Sequence, residues 1–104
     1  MALQETIEDR REMIASDQIV AKSPDTISRI IGQEAVIILP IRGELKVVND
    51  VGARIWELAD GTRTIADLIN VIFDEYEVIR EQAEKDVSDF IQLMVDKNLF
   101  VIVE

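Results

Sequence analysis

From Ile65 to Tyr76 the apolar residues Ile65, Leu68, Ile69, Ile72, Phe73 and Tyr76 recur at helical spacing on one side. Thr64 stands just before this run and Asp67 three residues on, a short capping box that starts a helix. A second helical stripe, Ala83, Val87, Phe90, Ile91 and Met94, predicts a helix over about Arg80–Lys97. Its first turns carry Glu81, Glu84 and Asp86 and its end carries Lys97, the polarity that the helix dipole favours. Asn98 is suited to the left-handed residue that closes such a helix. A shorter helix precedes both: Asn49 or Asp50 caps it, Val51, Ile55 and Leu58 share a face with Trp56 beside them, and Gly61 ends it.

Ahead of the helices the period changes. Thr26–Ile31, Ala35–Leu39 and Glu44–Val48 read as three short strands. Gly32-Gln33 is a two-residue turn with glycine first, as a type II′ hairpin requires. Pro40 stops the middle strand, and Ile41-Arg42-Gly43 turns the chain. In Glu44–Val48, Leu45 and Val47 share one face and Lys46 and Val48 the other, and alternation alone leaves open which pair faces the core. Leu99–Val103 is apolar enough for a last short strand. Strands first and helices after predict an α+β domain: a winged-helix-like body with a three-stranded antiparallel sheet followed by three helices. Ser23-Pro24-Asp25 breaks the chain, so the domain is expected over residues 23–104. Residues 1–22 form an N-terminal extension, helical over residues 3–15 through Leu3, Ile7, Met13 and Ile14 or else flexible, and suited to packing on a partner or a second copy.

Composition narrows the function. The chain has 104 residues, 48% of them hydrophobic, enough for one small core. With 11 basic and 21 acidic residues its net charge is −10, a field that repels nucleic-acid backbones. There is no cysteine and no histidine, which removes disulfides, thiolate nucleophiles, the commonest general base and the commonest transition-metal ligand. No apolar run approaches the length of a membrane span, and the acidic start is unlike a signal peptide, so the expected location is the cytoplasm.

Enzyme motifs are missing as well. Gly32, Gly43, Gly52 and Gly61 are isolated and build no phosphate loop. Ser88 follows Val87 within a helix, the wrong setting for a serine carrying a phosphopantetheine arm. Asp74-Glu75-Glu77 lacks the alternation and glycine of a calcium loop, and Asp86 and Asp89 read as solvent-facing charge on a helix. No catalytic residue, metal or cofactor is called for. A winged-helix regulator would read DNA with its last helix, yet Arg80, Lys85 and Lys97 there are outnumbered by Glu81, Glu84, Asp86, Asp89 and Asp96.

The run Val48-Asn49-Asp50-Val51-Gly52-Ala53-Arg54-Ile55-Trp56-Glu57-Leu58, followed by Asp60-Gly61, resembles the PqqD-like family. So does the later set Ala83, Asp86-Val87, Phe90-Ile91, Met94, Lys97 and Leu99, and the likeness covers about residues 26–103. Ala59, Leu93 and Asn98 depart from the family's usual residues at their positions. The resemblance implies a non-catalytic peptide chaperone. Such a protein binds the leader of a ribosomally made precursor peptide as an extra strand beside the third helix and presents it to a modifying enzyme, often a radical-SAM protein. The pathway is pyrroloquinoline quinone synthesis, a lasso peptide or another modified peptide. Placed on this chain, the peptide site is Glu44, Leu45, Lys46, Val47 and Val48 with Asp86, Asp89, Phe90, Leu93 and Lys97. The bare residues keep two other readings open, a winged-helix regulator or generic interaction subunit and a homodimer. They also leave Trp56 as core or rim, Leu93 as anchor or plain surface leucine, and Arg54 and Arg63 as solvated or paired to local acids.

Overall fold

A computed structural model describes residues 14–103. The helix expected over residues 3–15 therefore lies outside the described residues, except for its last two positions, which are not helical. The order of elements is β1 (Ile19–Lys22), β2 (Ile27–Ile31), β3 (Glu34–Leu39), β4 (Glu44–Val48), α1 (Asp50–Leu58), β5 (Asp60–Thr64), α2 (Ile65–Glu75), α3 (Arg80–Asp96) and β6 (Phe100–Val103). Over the described residues it is an α+β fold with three α-helices and two antiparallel three-stranded sheets, in orders β2-β3-β4 and β5-β1-β6.

The first sheet is the one expected from the strand pattern. β2 pairs β3 from Ile27↔Ile38 to Ile31↔Glu34, and β3 pairs β4 from Ala35↔Val48 to Leu39↔Glu44. Gly32 takes φ 63 and Gln33 keeps a negative φ, the signs of a type II′ turn. A 3-10 turn, Pro40–Arg42, closes on Gly43 at φ 66 and leads into β4. On β3, Ala35, Ile37 and Leu39 are buried while Val36 and Ile38 point to the other side.

The second sheet is a finding beyond the expected single sheet. β1 is its middle strand, pairing β6 from Ile19↔Val103 to Lys22↔Phe100 and β5 at Ile19↔Thr64 and Ala21↔Asp60. The end of the expected N-terminal extension is thus part of the body, and Val20 is fully buried. Gly61 does not end α1: the helix stops at Leu58, capped by Ala59, and Gly61 lies inside β5 at φ 87. Lys22 donates to the carbonyls of Glu57 and Ala59 at 3.5 and 3.3 Å, placing a cation at the negative end of α1.

The helix starts and stops are chemical. Asn49 Oδ1 accepts from the Gly52 amide at 3.0 Å. Thr64 and Asp67 form the reciprocal capping box of α2 at 3.1 and 3.0 Å. Asn98, at φ 64, closes α3, with Leu99 N donating to Met94 O at 2.8 Å and Asn98 N to Val95 O at 3.0 Å. Ser23 then clamps this corner: its Oγ donates to Asn98 O at 2.6 Å and its amide to Leu99 O at 3.0 Å. The second sheet thereby holds the C-terminal end of α3. One core joins Val20, β3, Val48 and the inward stripes of all three helices. Trp56 belongs to it, stacked on Phe100 at 5.4 Å between centroids, with Nε1 donating to Ser28 Oγ at 3.0 Å. Arg54 and Arg63 are paired, Arg54 with Glu75 at 2.8 Å and Arg63 with Asp60 at 2.9 Å.

Candidate functional site

β4 pairs β3 on one side only, so among the described residues its other edge is open. Each second residue along that edge presents an amide and a carbonyl with no strand to meet them. Beside it runs α3. Two contacts fix the spacing: Lys97 Nζ sits 3.6 Å from Glu44 Oε2, and Val48 and Phe90 both press on Gly52 at the start of α1. A Cβ on Gly52 would lie 2.9 Å from Val48 Cβ and 3.0 Å from Phe90 Cε1. Glycine in the first turn of α1 is therefore what lets strand, helix start and Phe90 converge.

Between these elements lies a cleft of ≈ 350 Å³ lined by Asn49, Val51, Gly52, Ile55, Asp86 and Phe90. Phe90 is half-buried and meets Phe100 edge-on, centroids 6.1 Å apart at 82°, so its position is set from the core. Asp86 is exposed at the rim and accepts from Gln82 at 2.8 Å. Leu93, one turn beyond Phe90, is 37% exposed, and Lys97 ends the same flank at the Glu44 pair.

The structure does not bring all the residues singled out from sequence to one place. Asp86 and Phe90 line the cleft, Val48 packs behind it against Gly52, and Glu44, Leu93 and Lys97 extend its flank. Lys46 is half-buried on the side of β4 that faces the body. Leu45 and Val47 point the opposite way, 62% and 54% exposed, which closes the reading that made them core. They can take part in the edge through their backbone, while their side chains face outward. Asp89 is further round α3 and is held by Lys85 at 2.6 Å, with the ammonium of Lys85 stabilised as the cation by that contact. Asn49, Val51, Gly52 and Ile55, the share of the cleft that α1 supplies, escaped sequence reasoning. Gly52 was the available signal, since glycine inside a helix costs stability and needs a steric reason.

The chemistry on offer is binding. No group of three or more His, Cys, Asp or Glu among the described residues is placed to hold a metal ion. Away from the cleft, hydrogen bonding from Arg54 holds the Glu75 carboxyl below its usual range. No described helix is long and apolar enough to cross a membrane.

Among solved structures, the chain is similar to TbiB1 in complex with the TbiA(beta) leader peptide, at 30% identity and TM-score 0.69, over 77% of this chain and 93% of that one. It also shares the fold of a lasso peptide synthetase B1 complexed with the leader peptide, at 22% identity and TM-score 0.70, over 79% of this chain and 96% of that one. No curated protein matches it. Residues 34–99, from the start of β3 through α3 to Leu99, match the family model described as coenzyme PQQ synthesis protein D, and the chain belongs to the PqqD family.

Proposed function

We propose that this chain is a non-catalytic adaptor that binds the leader segment of a ribosomally made precursor peptide and presents it to a modifying enzyme. The observation that carries the reading is the open edge of β4 lying beside the apolar cleft of Gly52 and Phe90. The likeness to TbiB1, a leader-bound protein, supports it. A leader entering as a strand would satisfy the open amides and carbonyls of Glu44–Val48, each bond contributing about 0.5–1.5 kcal/mol net. This part of the affinity is indifferent to sequence. Choice of peptide comes from side chains: an aliphatic residue of the guest enters the cleft against Phe90, and Leu93 extends that apolar wall. About 100 Å² of apolar surface buried there contributes about 2.5 kcal/mol before ordering costs. Asp86 at the rim favours a basic or polar neighbour on the guest.

The sum gives a micromolar or somewhat tighter complex. The modifying enzyme is a radical-SAM protein or a lasso-type processing enzyme, and the site of action is the cytoplasm, where precursor peptides are made. A winged-helix regulator is the competing reading, and it would need the last helix to face phosphates. Yet the flank of α3 beside the cleft holds Asp86 and is followed by the Lys85–Asp89 pair, a poor surface for phosphates.

The test is titration of the isotope-labelled protein with a synthetic leader from the precursor encoded beside its gene. Amide shifts centred on residues 44–48 and 85–97 are expected. A response confined elsewhere refutes the site.

A further inference from the structure

Among the described residues nothing covers the outer face of the first sheet, which is largely aliphatic. Its side chains are Ile27, Arg29 and Ile31 of β2, Glu34, Val36 and Ile38 of β3, and Leu45 and Val47 of β4, aliphatic except for Arg29 and Glu34. Ile27, Ile31, Leu45 and Val47 are 61%, 59%, 62% and 54% exposed. The cross-strand register stacks them in rows, Ile27–Ile38–Leu45 and Arg29–Val36–Val47, so the surface is continuous. Four of its aliphatic side chains stand more than half exposed side by side, the kind of contiguous patch that on a monomer marks an interaction site.

We infer that this face, widened by the bound leader, is the dock for the modifying enzyme. The inference rests on the strand-addition reading above and says where the second partner sits. A strand added to β4 lies about 4.8 Å beyond it in the same sheet. Its inward side chains enter the cleft beside α3. Its outward side chains fall next to Leu45 and Val47 and continue the outer face. The eight side chains of the empty face are fewer than the roughly 20–30 residues that each partner gives to a standard interface, and the guest's outward residues supply part of the shortfall. The enzyme thus meets a surface that is complete only when the peptide is in place. A second copy is the poorer occupant, because each copy carries a net charge of −10 and the pair would repel. The enzyme's matching surface is aliphatic, ringed by groups less acidic than this chain.

Ile27→Lys and Ile31→Lys test the dock without touching the guest, since β3 and β4 stand between β2 and the open edge of β4. Both positions are exposed, so the variants should fold, and thermal melting checks that they do. The probes are the synthetic leader and the purified peptide-modifying enzyme encoded beside this chain's gene. The leader should bind the double variant within about twofold of wild type. The enzyme should bind leader-loaded wild type at least about tenfold tighter than the empty chain, and lose about tenfold or more on the variant. Equal enzyme binding to wild type and folded variant overturns the dock, and equal binding to loaded and empty chain overturns its dependence on the guest. A solution mass that doubles for wild type alone, with enzyme binding unaffected, assigns the face to a second copy and also overturns the proposal. Failure of the leader to bind wild type is a different result, which removes the strand-addition reading and the dock with it.

Discussion

Among the described residues the first sheet has two open edges, and only one of them is furnished. β2 and β4 both flank β3, both are five residues long, and each carries one basic residue at its centre, Arg29 and Lys46. Those charges discourage either edge from pairing with its own copy in a centred register, where like charges would stand opposite each other. The surroundings differ. Near the β2–β3 hairpin lies a larger open cleft, ≈ 410 Å³, but it is lined by Asp50, Glu57, Glu75 and Tyr76, with Arg54 reaching across to Glu75. The cleft just past the end of β4 is smaller, and Val51, Gly52, Ile55 and Phe90 give it apolar walls between Asn49 and Asp86. Backbone groups alone make an edge adhesive. An adjacent apolar wall makes it selective, and size of the opening is the poorer guide.

The largest effect expected is from proline scanning of the two edges. Of Leu45→Pro and Lys46→Pro, one removes an amide that bonds β3 and the other an amide that points outward. The outward variant should stay folded and lose leader binding about tenfold or more, by calorimetry, whereas Arg29→Pro and Ile30→Pro on β2 should include no such folded, non-binding variant. Gly52→Ala comes next. The new methyl meets Val48 and Phe90 at 2.9 and 3.0 Å, so it should cost about 1–3 kcal/mol in denaturant unfolding and weaken leader binding by narrowing the cleft. Leu93→Lys should weaken the leader several-fold while changing stability by less than about 0.5 kcal/mol, which separates an anchor from a plain surface leucine. Lys97→Gln removes a part-exposed ion pair to Glu44 and should cost well under about 1 kcal/mol, less still in high salt.

The smallest effect belongs to the β2 side. Arg54 holds the Glu75 carboxyl below its unfolded value, chiefly by hydrogen bonding. A lowered carboxyl stabilises the fold above its unfolded pKa and loses that contribution as pH falls through the folded one. Glu75→Gln should therefore reduce stability slightly at neutral pH, make no difference under strongly acidic conditions, and leave leader binding unchanged. A matching loss of binding would erase the distinction between the two edges.

Much of this was legible in the residues. Thr64 with Asp67, Asn49 ahead of α1 and Asn98 after α3 name their own helix ends, because caps are local chemistry. The first sheet was legible for the same reason: its turns are short, and Gly32, Pro40 and Gly43 mark them. The second sheet was not. β1 is a four-residue strand whose partners are Thr64 and Asp60 in one direction and Phe100–Val103 in the other, pairings that no local pattern announces. β5, Asp-Gly-Thr-Arg-Thr, has the composition of a turn and becomes a strand through its partner. At the candidate site, β4 was readable from alternation and α3 from helical spacing, while their joint role as a peptide site was implied by the family resemblance. The facing of Leu45 and Val47 was not, since both faces of β4 carry an apolar residue. Packing decides it: Val48 must cover Gly52 and Phe90, which sends Leu45 and Val47 outward.

Amide hydrogen exchange with and without the leader tests the central claim most directly. The outward-pointing amides of Glu44–Val48 should gain protection on addition of the peptide, while those along Ile27–Ile31 keep their rates. Protection appearing on β2, or no protection on β4 while the peptide is bound, would contradict the account.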